Sequence, residues 1–102
     1  MRRRILILAT MALTAGGAHG QPRESRALAR YHDDLKSCLA GAAAHASAQP
    51  EATRDTVADT AAKACEKRFV RRAVAGKLME PAQARVEINT FAYQMAERVL
   101  SR

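Results

Sequence analysis

Three prolines divide this chain into long segments that suit helices. Pro22, Pro50 and Pro81 each precede a stretch that contains no further proline. A proline is tolerated in the first turn of a helix, where its missing N–H would have no partner, but it disrupts a helix interior. The stretches are rich in Ala, Arg, Leu, Glu and Met, which are strong helix formers, and none alternates apolar and polar residues as a strand does. The sequence therefore predicts an all-α fold with three helices, at about residues 23–47, 51–74 and 81–100.

The first twenty residues have the layout of a secretory signal peptide. Three arginines at residues 2–4 are followed by an apolar run over residues 5–13 and then by small residues up to Gly20. The apolar run is about half as long as the ~20 residues that a membrane-spanning helix needs, and no cysteine lies nearby to carry a lipid. Cleavage is predicted after Gly20, with Ala18 as the alternative. We therefore expect an exported bacterial protein, periplasmic or secreted, whose mature chain is residues 21–102.

Length and charge restrict the mature chain to one small domain. The full chain has 17 basic and 10 acidic residues, a formal net charge of +7. Because three of the bases lie in the predicted signal peptide, 14 remain against 10 acids, and the net charge falls to +4. The 82 residues that follow the signal peptide suffice for a single domain. A domain of this size buries little surface per residue, so a covalent crosslink is expected to stabilise it.

Cys38 and Cys65, the two cysteines of the chain, can supply that crosslink. In an oxidising compartment two cysteines most economically form one disulfide. Disulfide geometry brings the two Cα atoms to about 5.5 Å, and the alanines around Cys65, with Gly41 near Cys38, permit such an approach. An antiparallel hairpin linking the cysteines has its midpoint at residues 51–52, beside the turn predicted at 49–50. The expected architecture is a small three-helix bundle with one inter-helix disulfide.

Other chemistry finds little support in the sequence. A metal site could use Cys38, Cys65 and His45, but no fourth ligand has a usual spacing, and the cysteines are not in a Cys-x-x-Cys redox arrangement. The chain has no Gly-rich phosphate loop, Gly-x-Ser-x-Gly or His-Glu-x-x-His motif. His32 and His45 are expected at the surface or edge of the first helix and not as general bases. No metal, cofactor or enzymatic activity is therefore predicted.

Each predicted helix has an apolar face of residues spaced by three and four. These faces are Leu28, Tyr31, Leu35, Leu39, Ala42 and Ala46 in the first helix, Ala58, Ala61, Ala62, Cys65, Phe69 and Ala73 in the second, and Ala84, Ile88, Phe91, Ala92, Met95 and Val99 in the third. Because the second face consists mostly of small residues, the helices are expected to pack closely. These residues are the predicted core.

The third helix has a further apolar stripe, which we call the second stripe. It consists of Met79, Val86, Tyr93 and Leu100, spaced by seven. The two stripes together cover roughly 200° of the helix circumference, more than the ~100° that a surface helix usually buries. Either the third helix lies in the groove between the other two and contacts both, or the second stripe contacts a partner, most simply a second copy of the chain.

The charges of the second helix also allow two interpretations. Acidic and then basic residues follow one another at i, i+4, an order that complements the helix dipole and places Asp59 beside Lys63 as an ion pair. The row is Glu51, Asp55, Asp59, Lys63, Lys67 and Arg71. It is typical of a solvated face. The alternative is an anion-binding basic cluster, defined as Lys67, Arg68, Arg71, Arg72 and Lys77.

These patterns predict a non-enzymatic exported protein that acts through protein–protein contact by the second stripe, including self-association. The alternative is binding of anionic envelope surfaces, phospholipid or lipopolysaccharide, by the basic cluster. Nucleic acid is not favoured as a ligand, because the only aromatic residue near the cluster, Phe69, is on the predicted core face. An inhibitor or immunity protein against an envelope-directed toxin fits the same residues.

Overall fold

Three helices make up the protein in a computed structural model, which describes residues 23–102, with side chains described from residue 26 onwards. The helices are α1 (Arg23–Ser47), α2 (Arg54–Ala75) and α3 (Pro81–Leu100), and each packs against the other two. The predicted signal peptide and both cleavage sites lie outside the described residues. The three-helix bundle with an inter-helix disulfide is confirmed.

Cross-helix contacts show that successive helices run antiparallel. Cys38 of α1 is bonded to Cys65 of α2, with the two Cα atoms 6.2 Å apart. Closer to the start of α1, Asp34 contacts Arg72, which is further along α2 (2.8 Å). The contacts between α2 and α3 are also reversed. Arg54, at the start of α2, pairs with Glu97 near the end of α3 at 3.0 Å. Glu66, further along α2, pairs with Arg85 near the start of α3 at 3.2 Å.

The turn between α1 and α2 is longer than the sequence predicted. Pro50 and Glu51 lie in the turn, not in the first turn of a helix, and α2 begins three residues after the predicted start at residue 51. Glu51 has a positive φ of 63°, which interrupts helical geometry. Thr53 is the N-cap: its hydroxyl oxygen accepts from the Thr56 N–H at 3.2 Å, and its own N–H donates to the Thr56 hydroxyl at 2.9 Å. This reciprocal pair satisfies two backbone donors and sets the start of α2.

α2 ends at Ala75, one residue after the predicted end at residue 74. Gly76 is the C-cap residue, and the chain reverses there through a Schellman-type pair of hydrogen bonds. The Leu78 N–H donates to the Ala73 carbonyl at 2.8 Å, and the Lys77 N–H donates to the Val74 carbonyl at 3.0 Å. The residue with left-handed backbone geometry is Lys77, with φ 56°. Glycine is the usual residue at such a position, so Lys77 holds a backbone conformation that lysine seldom adopts.

The predicted apolar faces form the core. Tyr31, Leu35 and Leu39 of α1 are buried in one cluster with alanines of α2 and α3. The Tyr31 and Phe69 rings meet edge to face at 5.7 Å. The alanines allow the close helix approach that the disulfide requires. Four predicted core residues are only partly buried: Leu28, Ala42, Phe91 and Val99. Three residues outside the predicted faces are buried: Ala43, Val57 and Ala96.

One polar atom is buried in this core without a partner. Tyr31 has no exposed surface, and its hydroxyl has no hydrogen-bond partner within residues 23–102. Burial raises the pKa of Tyr31, and the nearby Glu87 carboxylate raises this pKa further, whereas Arg72 lowers it. An unsatisfied buried hydroxyl costs about 1–3 kcal/mol of folding free energy. The ring of Tyr31 therefore stabilises the bundle while its hydroxyl opposes folding.

We expect Tyr31→Phe to raise the melting temperature at neutral pH, because it keeps the ring and removes the unsatisfied hydroxyl. The raised pKa adds a pH dependence. Ionisation of Tyr31 leaves the free energy of unfolding unchanged below the unfolded-state pKa of about 10 and lowers it as the pH rises through the folded-state pKa. Thermal unfolding of both proteins at neutral and alkaline pH measures the two effects, with the exposed Tyr93→Phe as the control. A lower melting temperature for Tyr31→Phe would contradict the prediction and show that the hydroxyl makes a stabilising hydrogen bond.

Candidate interaction surfaces

The second stripe lies largely on the surface of the bundle. Val86 is 64% exposed, Tyr93 41% and Leu100 39%, while Met79 is partly buried against the core. α3 contacts both other helices, but none of its buried residues belongs to the second stripe. These buried residues are Ala84, Ile88, Ala92, Met95 and Ala96. Internal packing therefore explains Met79 and leaves the other three members of the second stripe without a role in the core.

Contacts with α2 show which side of α3 presents the second stripe. The Arg54 guanidinium lies 5.5 Å from the centre of the Tyr93 ring and pairs with Glu97 at 3.0 Å. Residues 86, 93 and 100 share one side of α3 because two helical turns separate successive members. The stripe therefore runs along the side of α3 next to α2, with the aliphatic and aromatic surface of Val86 and Tyr93 open to solvent.

A further exposed apolar residue was not among the predicted sites. Val74, near the end of α2, is 45% exposed. It lines a groove with Lys77 and Met79, which lie between α2 and α3, and with Pro81 at the start of α3. Val74 lies opposite the apolar face of α2. A single valine among basic residues is the only indication in the sequence of an exposed apolar site there. The large exposed apolar side chains within the described residues are thus Val74 and three members of the second stripe.

The structure divides the predicted basic cluster between two sides of α2. Arg72 pairs with Asp34 of α1 at 2.8 Å and lies over the rings of Tyr31 and Phe69, 5.7 Å from each ring centre. Arg68 lies over the Phe69 ring at 4.8 Å. Both guanidinium groups thus cover the aromatic pair on the α1 side, where they help to pack the bundle.

Lys67 and Arg71 belong instead to a groove between α2 and α3. The groove encloses about 390 Å³, and we call it the basic groove; it is lined by Lys63, Glu66, Lys67, Val70, Arg71 and Arg85. Two of its bases have acidic partners at 3.2 Å: Lys63 pairs with Asp59, as predicted, and Arg85 pairs with Glu66. Lys67 and Arg71 are exposed and have no carboxylate partner among residues 26–102. Arg85 was not predicted, because its approach to α2 depends on how α3 is placed.

The two histidines of the described residues, His32 and His45, have different surroundings. The His32 Nε2 atom lies 2.9 Å from a Glu87 carboxylate oxygen, with both side chains 26% exposed, and the His32 ring meets Phe91 edge to face at 5.7 Å. His32 therefore joins α1 to α3 at the edge of the core, consistent with the edge position predicted for it. His45 is exposed near the end of α1.

The disulfide removes the thiolates that the metal alternative requires, because both cysteine sulfurs are bonded to each other. In the described part of the chain, no group of three or more His, Cys, Asp or Glu side chains is placed to hold a metal ion. Nor does any helix between residues 23 and 102 combine the length and apolar character needed to cross a bilayer.

No protein-family model, curated protein or solved structure matches this chain. Its candidate surfaces are therefore defined by its own residues. They are the second stripe, with Val86, Tyr93 and Leu100 exposed, and the basic groove, with Lys67 and Arg71 unpaired within the described region.

Proposed function

We propose that this is a non-enzymatic exported protein that acts through protein–protein contact, and that its second stripe binds a second copy of the chain. The exposure of Val86, Tyr93 and Leu100 at a constant spacing of seven supports this proposal. Apolar side chains gain free energy when they leave water, at about 25 cal/mol per Å². Val86, Tyr93 and Leu100 lie in line on one helix and provide apolar surface for such burial.

The spacing of the second stripe also suits a symmetric dimer. Val86 and Leu100 lie seven residues on either side of Tyr93, so two antiparallel copies of α3 would place Tyr93 near the two-fold axis. Each Val86 would then lie opposite Leu100 of the second copy. Homodimers with two-fold symmetry use the same patch on both subunits, and this arrangement meets that condition. Glu97 beside the stripe is already neutralised by Arg54 at 3.0 Å, which lowers the charge repulsion at such an interface.

The oligomeric mass of the oxidised mature protein, residues 21–102, tests the proposal. Light scattering during size exclusion should give the mass of a dimer, and Tyr93→Glu with Leu100→Glu should give a monomer with unchanged helix content. Two carboxylates buried in an apolar contact would lose their water without gaining a partner, and this cost opposes association. The matched control is Gln94→Glu, which adds a charge at an exposed position of α3 outside the second stripe and should leave the dimer intact.

A monomeric mass for the unmodified protein across the micromolar range would contradict self-association. Loss of helix content in the Tyr93→Glu, Leu100→Glu variant would assign the two residues to the core and would also contradict the proposal. If all three proteins showed the same dimeric mass, association would occur through another surface.

A second proposed function is binding of anionic envelope surfaces, such as phospholipid or lipopolysaccharide. The specific support is the pair Lys67 and Arg71, exposed side chains without a carboxylate partner among the described residues. A predicted net charge of +4 on the mature chain adds a long-range attraction to anionic surfaces. Of the predicted basic cluster, Arg68 and Arg72 contribute less, since their guanidinium groups are engaged over the aromatic pair.

A further inference from the structure

We propose that the basic groove between α2 and α3 binds the phosphate groups of lipid headgroups at the surface of an anionic membrane. This inference rests on the second proposed function and gives it a site. The site differs from the predicted basic cluster. It keeps Lys67 and Arg71, and it excludes the other three members of that cluster, Arg68, Arg72 and Lys77. It adds Lys63 and Arg85 on the two walls of one groove.

The arrangement of charge in the groove suits a phosphate. Lys67 and Arg71 are one helical turn apart on α2, so their side chains lie on the same face. Arg85 approaches from α3 and is held by Glu66 at 3.2 Å. Lysine binds phosphate as a compact point charge, and arginine offers a planar set of N–H donors that matches two phosphate oxygens. Bases from two helices thus face one open space, with two of them free of acidic partners among the described residues.

Apolar surface beside the groove favours a membrane over a free phosphate ion. Val70 lines the groove, and Val74, one turn further along α2, is 45% exposed. A free phosphate has no use for this apolar surface, whereas a bilayer interface accepts aliphatic side chains below the headgroups and basic side chains among them. The groove is lined by exposed bases and is open to solvent, so an extended anionic surface can contact several of them at once.

The proposal also predicts a substitution that strengthens membrane binding, at Glu66. Its carboxylate is the acidic group that lines the groove, and it neutralises Arg85. Glu66→Gln should therefore free Arg85 and strengthen binding to an anionic membrane. Each basic charge near an anionic surface contributes about 1 kcal/mol, which corresponds to about fivefold in partitioning. The same constant predicts a loss of about thirtyfold for the double variant Lys67→Gln, Arg71→Gln.

Co-sedimentation with vesicles tests these expectations. The oxidised mature protein and its variants are mixed with vesicles of phosphatidylglycerol in phosphatidylcholine, or of phosphatidylcholine alone, at low and high salt. The matched control is Arg98→Gln with Arg102→Gln, which removes two exposed charges at the far end of α3. We expect salt-sensitive binding to the anionic vesicles, a large loss for the groove variant, a small loss for the control and a gain for Glu66→Gln.

The outcomes separate the groove from the more general function. Anionic binding that the groove variant and the control lose equally would overturn the groove and leave surface binding by net charge in place. No preference of the unmodified protein for anionic vesicles would overturn both. Inorganic phosphate, compared with chloride at equal ionic strength, completes the test. Phosphate binding that the groove variant loses, together with vesicle binding that the groove variant keeps, would assign the groove to a soluble ion and overturn the membrane proposal. The dimer mass should be unchanged in the groove variant, since Lys67 and Arg71 lie outside the second stripe.

Discussion

Reduction of the Cys38–Cys65 disulfide is expected to lower the melting temperature of the mature protein by well over ~10 °C. The bond joins residues separated by 27 positions, and closing a loop of that size restricts the unfolded chain enough to stabilise the fold by roughly 3.6 kcal/mol. For a domain of this length, each kcal/mol shifts the melting temperature by roughly 4–8 °C. Thermal unfolding followed by circular dichroism, with and without reductant, measures the shift.

The double variant Cys38→Ser, Cys65→Ser is the control for this prediction. It should melt close to the reduced protein, and reductant should not change its melting temperature further. The oxidised protein should also show no thiol that reacts under denaturing conditions. Two reactive thiols in protein taken from its native compartment would contradict the prediction, as would equal melting temperatures for the oxidised and reduced forms.

Phe69→Ala is expected to destabilise the bundle by about 3–5 kcal/mol, the range for deleting a buried aromatic ring. Phe69 is only 2% exposed. Its ring contacts Tyr31 edge to face, and Arg68 and Arg72 lie over it. Alanines make up about half of the buried core, and their short side chains cannot move into the space that the ring leaves. Urea unfolding of the oxidised proteins measures the difference in the free energy of unfolding.

The other phenylalanine of the chain is the matched control. Phe91 is only partly buried, and its ring contacts His32 and the Lys36 ammonium at the α1–α3 edge. Phe91→Ala should therefore cost clearly less than Phe69→Ala, although the same atoms are removed. Equal losses would contradict the deeper burial of Phe69 relative to Phe91.

The two proposed surfaces are neighbours on the α2–α3 side of the bundle and use different residues. Self-association would involve Val86, Tyr93 and Leu100, whereas the basic groove uses Lys67 and Arg71. A dimer would carry two basic grooves, and two linked sites on one membrane increase the overall affinity without any new contact. The oligomeric mass and the vesicle binding are therefore best measured on the same samples.

The helices, the core and the disulfide could be predicted because each depends on local periodicity or on chain geometry. The spacing of Tyr31, Leu35 and Leu39 indicates one buried face whatever packs against it. The alanines around Cys65 indicate a close helix approach, and the midpoint between the cysteines indicates an antiparallel hairpin. The predicted start of α2 is three residues too early, because Pro50 lies in the turn and not in the first turn of the helix. Thr53 is a good N-cap residue, and it is the feature of the sequence that indicates the observed start of α2.

The composition of the candidate sites could not be predicted in the same way. Basic residues close together on one helix, such as Arg72 and Arg71, point to different sides of it, and the neighbouring helices decide their partners. Arg72 contacts Asp34 of α1, whereas Arg71 borders a groove completed by Arg85 of α3. Tertiary packing also decides the exposure of the second stripe: a wide apolar arc is compatible with burial between two helices or with a free surface, and only the position of α3 distinguishes them.

The sequence by itself thus determined the all-α class, the apolar face of each helix and the pairing of Cys38 with Cys65. Helical periodicity is a property of each segment, and the disulfide closes a short loop between two adjacent segments. The sequence therefore contains the information for both features. Only the tertiary structure decided that Val86 faces solvent, that Tyr31 buries its hydroxyl, and that the basic cluster is divided. These features depend on the rotation of each helix about its own axis, which the packing of all three helices sets together.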